Sequence, residues 1–355
     1  MTGRKRVVLV CPGRGTYTKS ELGFFSRPAP KSIAGEIKAL VRYVDEVRAA
    51  RGDATLTALD GAKSFGAKHV AGENAGALIY TATAADALRI DHERCEVVGV
   101  LGNSMGWYTA LHVGGALGFD EGLRLADTMA GYQRGGPIGG QVIWPVVDDE
   151  WRIDADLVGK AFSVVSALNE AGLRAGTSIH LGGFEVFWGE HDAIRELLAK
   201  LPKRKFVERE YPFQLQGHAA FHSPLLEETS RKAQADLADL ALAPPRVPLV
   251  DGQGRIRNPL WSDPADILRY TLGDQVTTTF DFTCAVEVAL RELGPDHLVL
   301  LGPGDTLGGV IGQILIEEKW RGIKSKTEFL ARQKSDEPPL IALARPEQAA
   351  RVILS

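Results

Sequence analysis

The chain has 355 residues, 45% hydrophobic and 24% charged, with a formal net charge of -4. That is a globular composition with room for one large domain and a smaller one, and it offers no basic field for nucleic acid or a membrane surface. Three widely spaced cysteines, Cys11, Cys95 and Cys284, suggest neither a disulfide framework nor a zinc set, and they fit a reducing cytoplasm.

Gly3-Arg4-Lys5-Arg6 leads into Val7-Val8-Leu9-Val10, an apolar run too short for a signal sequence that reads as the first strand. No stretch has the apolar length of a membrane-spanning helix. The strand ends in the loop Cys11-Pro12-Gly13-Arg14-Gly15-Thr16-Tyr17. Helical patterns follow at 32–50 and 75–90, then a strand at 97–101, a helix beyond Ser104 and another at about 119–132. Gly135-Gly136-Pro137 and Gly139-Gly140 mark a boundary.

Beyond it the pattern changes. A strand at 142–147, a helix at 154–171, strands at 177–181 and 184–188 joined by Gly182-Gly183, a helix at 190–201 and a strand at 205–211 follow one another. That is the ferredoxin-like order, inserted into the larger domain. Helices are then expected at 224–242, 263–272, 282–293 and 306–316, with strands at 247–250 and 297–301. Short apolar runs alternating with helices predict an α/β fold. The large, α/β-hydrolase-like domain, with a mainly parallel sheet, spans 1–137 and 216–333. The ferredoxin-like subdomain spans 138–215, and 334–355 reads as a peripheral tail.

Gly102-Asn103-Ser104-Met105-Gly106 carries the chemistry. Strand, G-x-S-x-G, helix is the context of a nucleophile elbow: small residues allow the sharp turn that lifts the serine hydroxyl out of the sheet. The helix start that follows presents backbone N–H groups. Ser104 is therefore a candidate nucleophile, against the plainer reading of a glycine-rich turn. Among eight histidines, His92, His191 and His297 sit among charged or turn residues and read as surface, and His112 as packed or half exposed. His222 differs, because it lies in Ala219-Ala220-Phe221-His222-Ser223-Pro224, where the insert returns to the large domain. A loop at a domain junction faces a cleft, where substrates tend to bind.

Four motifs, in order, resemble those of the malonyl-CoA:acyl-carrier-protein transacylases and the acyltransferase domains of fatty-acid and polyketide synthases. Pro12-Gly13-Arg14-Gly15-Thr16 is similar to P-G-Q-G-S, Gly102 to Gly106 to G-H-S-x-G, Ala220-Phe221-His222-Ser223-Pro224-Leu225 to A-F-H-S-P-L, and Gly302-Pro303-Gly304 with Leu307 to G-P-G-x-x-L. The resemblance spans residues 7 to about 317. It implies double displacement: Ser104 attacks an acyl thioester, His222 takes its proton, and the acyl-serine passes the acyl group to a second thiol. It also implies an oxyanion hole from the backbone N–H groups of Arg14 and Met105, and a main-chain carbonyl, at Gln275, that orients the histidine. The implied partners are acyl-CoA and an acyl carrier protein, without metal or redox cofactor, and the implied location is the cytoplasm. An acidic carrier protein would meet a basic dock, either Lys200, Lys203, Arg204 and Lys205 or Arg321, Lys324 and Lys326.

Two departures bear on the acyl unit. Asn103 replaces the family's histidine before the serine, and Met129 occupies the position of its carboxylate-binding arginine. Methionine cannot pair with a carboxylate. With Met129, Asn103 and Phe221 as the acyl pocket, a non-carboxylated acyl unit is expected. An ordinary malonyl transacylase with a compensating arginine (Arg124, Arg134 or Arg14) is the alternative. An acyl-thioester hydrolase on the same scaffold is another. A generic α/β-hydrolase esterase is disfavoured by the mid-chain position of His222, and a non-catalytic scaffold by the presence of both Ser104 and His222.

Overall fold

The computed structural model describes residues 3–354. In chain order its strands are β1 (Lys5–Cys11), β2 (Cys95–Gly102), β3 (Gly140–Pro145), β4 (Ala175–Leu181), β5 (Phe184–Gly189), β6 (Arg204–Phe206) and β7 (Arg209–Tyr211). There follow β8 (Phe213–Gln214), β9 (Leu249–Val250), β10 (Ile256–Arg257), β11 (Phe280–Asp281), β12 (His297–Leu300) and β13 (Leu340–Ala342).

The main sheet has the order β10-β9-β2-β1-β12-β13. Every neighbour pair in it is parallel except β10 with β9. Parallel strands covered on both faces need apolar residues at every position, and Val7 to Cys11 in the middle of the sheet are all buried. The helices Gly72–Ala87, Gly106–Val113 and Leu307–Glu317 pack on it through almost wholly buried surfaces. No helix among the described residues is long and apolar enough to cross a membrane.

The insert forms a second sheet in the order β11-β4-β5-β3-β8. Within 140–214 its neighbours are all antiparallel, and the helices Ala155–Glu170 and His191–Lys200 connect them. A small core around Trp144, Phe187, Leu168 and Leu197 holds this unit together. The strand expected at 205–211 is corrected. Those residues fold on themselves as the hairpin β6–β7, and the two-residue β8 closes the sheet instead. The sheet is also not private to the insert, because β11 of the large domain pairs in parallel with β4.

Three other expectations change. Residues 334–355 are no peripheral tail: β13 is the parallel edge strand beside β12, and Leu340, Ile341 and Leu343 are buried. The main-sheet domain therefore reaches the last described residues. His297 is not a surface residue but is buried in β12, with Nδ1 2.7 Å from the Pro338 carbonyl oxygen. The helix expected over 224–242 is a 3-10 turn (Pro224–Leu226) and a short α-helix (Glu227–Asp236). Leu237 and Leu240 then turn inward, and the chain bonds to the end of the elbow helix through Ala243 N–H to Ala116 O (2.9 Å) and Arg246 N–H to Gly114 O (2.7 Å).

Candidate active site

Ser104 sits at the end of β2 with φ +54°, a left-handed conformation that side chains rarely adopt. The flanking glycines explain how the turn closes. A Cβ on Gly102 would lie 2.1 Å from the Gly106 carbonyl oxygen, and one on Gly106 would lie 2.2 Å from that of Cys11. The helix Gly106–Val113 starts immediately afterwards, anchored by the buried Trp107, whose Nε1 donates to Thr271 Oγ1 at 2.9 Å.

His222 reaches the serine from the loop that leaves the insert, and it too has a positive φ, +60°. Its N–H donates to the Val276 carbonyl at 2.8 Å, and Ser223 and Pro224 start the next turn. The preceding carbonyl, of Phe221, accepts from Ser178 Oγ at 2.8 Å, so β4 of the insert also holds this loop. The imidazole is 1% exposed. Its Nε2 lies 2.7 Å from Ser104 Oγ and its Nδ1 lies 2.6 Å from the Gln275 carbonyl oxygen. A carbonyl can only accept, so Nδ1 carries the proton and Nε2 of the neutral ring accepts from the serine. Burial lowers the histidine pKa to about 4, only partly opposed by that carbonyl.

Gln275 contributes more than its main chain. Its side chain accepts from Tyr108 Oη at 2.9 Å and donates to the Ser104 carbonyl at 3.1 Å, locking the serine turn to the histidine's support. Neither backbone N–H of Arg14 and Met105 donates to an acceptor among the described residues. Free N–H groups beside a nucleophile can stabilise a developing oxyanion.

A small cavity, about 40 Å³, opens at the serine, lined by Arg14, Met105, Met129, Gln133, Phe221 and Tyr108 among others. Met129 and Phe221 are thus in the pocket. Asn103 is not: it is buried against Gly13, whose added Cβ would lie 2.5 Å from its carbonyl oxygen and 3.4 Å from Nδ2. Arg124 pairs with Asp239, and Arg134 with both oxygens of Asp53. Neither lines the cavity. Tyr108 and Gln133 escaped the sequence reading. Tyr108 stands one helical turn after Ser104, and Ala126, Ala130 and Gln133 share the i, i+4, i+7 face next to Met129, a spacing that could have found them.

No family model matches the chain. Polyketide biosynthesis protein PksE of Bacillus subtilis is 25% identical over 215 residues, covering 60% of this chain and 25% of that protein, so the chain spans about a quarter of this curated relative's length. Among solved structures, malonyl-CoA:acyl carrier protein transacylase of Xanthomonas oryzae superposes with a TM-score of 0.70 at 20% identity, covering 97% of this chain and 96% of the other. Acyl-carrier-protein S-malonyltransferase of Burkholderia pseudomallei gives 0.69 at 22% identity, with 97% and 98% covered. The acyltransferase domain from the second module of the salinomycin polyketide synthase gives 0.68 at 18%, with 98% and 71% covered. The resemblance carried by four short motifs therefore extends to the whole architecture, and this chain has the fold of the malonyl-CoA:acyl-carrier-protein transacylases.

Proposed function

We propose that the chain is an acyl-carrier-protein S-acyltransferase that works through an acyl-Ser104 intermediate. The observation that carries this reading is the relay from Ser104 Oγ through His222 to the Gln275 carbonyl, at 2.7 and 2.6 Å. Ser104 Oγ attacks the carbonyl carbon of an acyl thioester while Nε2 takes its proton. The negative charge on the carbonyl oxygen falls to the N–H groups of Arg14 and Met105. Collapse breaks the carbon–sulfur bond, and the thiol leaves with the proton held on Nε2. The second half runs in reverse, with a carrier-protein phosphopantetheine thiol as nucleophile. A carbonyl partner for Nδ1, in place of a carboxylate, fixes the tautomer without adding a buried charge.

Acyl-CoA supplies the acyl group and a carrier protein receives it. Two members of the first basic cluster are engaged locally, Lys200 with Glu196 at 3.1 Å and Lys205 with Glu208 at 3.4 Å. Arg204 donates to the Val147 carbonyl at 3.1 Å. Exposed pairs of this kind are weak and open readily to a stronger anionic partner.

Intact-mass measurement after mixing with a panel of acyl-CoA thioesters tests the proposal. A mass gain of one acyl group is expected, lost in S104A and strongly slowed in H222A, and discharged by a carrier protein faster than by water. Free acid forming faster without a carrier protein than transfer occurs with one would make the chain a hydrolase.

A further inference from the structure

Arg14 and Met129 line the same cavity at Ser104. The Arg14 guanidinium is held only by neutral acceptors: Nη1 donates to Gln133 Oε1 and Nη2 to the Val70 carbonyl, both at 3.0 Å. Its Nε is buried and has no acceptor among the described residues. Its side-chain bonds go to no carboxylate among those residues, and Glu73 acts on it only through its charge. His218, also close by, is kept neutral by burial and by the arginine itself.

Arg14 is half-buried, with Nε inaccessible and the Nη2 bond exposed. A guanidinium stays charged, and holding it partly out of water among neutral partners costs free energy that an incoming anion offsets. The group delivered to this cavity is the acyl chain on Ser104. A carboxylate at its far end would meet a charge-assisted donor set already in place. We propose that Arg14 is the specificity-determining residue for an acyl unit that carries a carboxylate, supplying from the loop after β1 the charge that Met129 does not supply from its helix. The inference rests on the acyl-Ser104 reading, and it reverses the expectation drawn from Met129 alone. Met129 and Arg14 exchange places in the chemistry: the thioether fills volume and the loop residue binds. The backbone N–H of Arg14 serves the oxyanion while its side chain serves the acyl terminus. The small cavity, about 40 Å³, favours a short unit.

The experiment is Ser104 loading by malonyl-, acetyl- and hexanoyl-CoA, read by intact mass as initial rates. The wild-type protein is expected to load malonyl at least tenfold faster than either of the others. R14M should slow malonyl loading about 100-fold, the size expected when one partner of a buried charge pair is lost, and acetyl loading less than tenfold. R14M/M129R should regain part of the malonyl rate. A wild-type preference for acetyl or hexanoyl overturns the proposal without needing any variant to fold, and so does an equal loss of malonyl and acetyl loading in R14M. No loading by any thioester defeats the acyl-enzyme reading itself, and the role of Arg14 with it.

Discussion

In the proposed mechanism His222 serves as the base, and its burial suits it to that role. With its pKa lowered to about 4, the imidazole is neutral throughout the physiological range. On that reading the working form is the unprotonated one, so the rate falls only as pH drops through the folded pKa. Ser104 acylation by a fixed thioester should be flat from pH 8 down to about 5.5 and then decline with a midpoint near 4. An inflection between 6 and 7, read by stopped intact-mass time courses, would mean that the ring is solvated in the working enzyme. Gln275 divides its labour differently. Its carbonyl orients the ring and survives any side-chain change, whereas its side chain joins Tyr108 Oη to the Ser104 carbonyl. Losing two such bonds costs about 1–2 kcal/mol, so Q275A should slow acylation about tenfold. It should leave the acid midpoint in place. A shifted midpoint would place the side chain, and not the carbonyl, in control of the histidine.

At the scale of elements, the elbow is a junction of three backbones. Gly102 presses on the first turn of the following helix, and Gly106 presses on the end of β1. Because the atoms in the way are main-chain atoms, neither can move aside as a side chain would. G106A should lower the stability by roughly 1–3 kcal/mol, the range of a strained core insertion, seen as a lower urea midpoint with an unchanged slope. An unchanged midpoint would mean that β1 and the elbow helix separate easily. These contacts are why so much of the site was legible. G-x-S-x-G after an apolar run specifies strand, turn and helix together, and A-F-H-S-P specifies a loop that ends in a capped turn. The pocket was less legible because its walls come from separate elements. Arg14 faces Ser104 only once β1 and β2 lie side by side. Asn103, adjacent to the serine, points elsewhere because successive residues on a tight turn diverge. The 205–211 strand failed for a related reason: its alternation suits a hairpin as well as an edge, and only pairing with β3 selects β8.

At the scale of the molecule, the two sheets are tied together at several points. β11 pairs with β4, Gly183 N–H donates to Gln313 Oε1 at 2.9 Å, and Gly182 N–H donates to Thr283 Oγ1 at 2.8 Å. This explains how a histidine at the edge of the insert can stay 2.7 Å from a serine on the main sheet. The C-terminal residues belong to the same construction. β13 covers β12, and Asp91 N–H and Leu354 N–H bond to Val352 O (2.9 Å) and Arg89 O (2.8 Å) respectively, just ahead of β2. Leu340, Ile341, Leu343 and Val352 are each at most 6% exposed. At about 1.5–3 kcal/mol for each fully buried side chain, their loss amounts to roughly 6–12 kcal/mol. That matches the whole folding stability of a typical domain, about 5–15 kcal/mol. Removal of 334–355 would also leave β12, an apolar parallel strand, as an unprotected edge open to pairing with other chains. The truncated protein is therefore expected in the insoluble fraction, or as soluble aggregate without a cooperative thermal transition. A monomeric 1–333 chain that melts at the temperature of the 355-residue chain would show instead that the main sheet closes at β12.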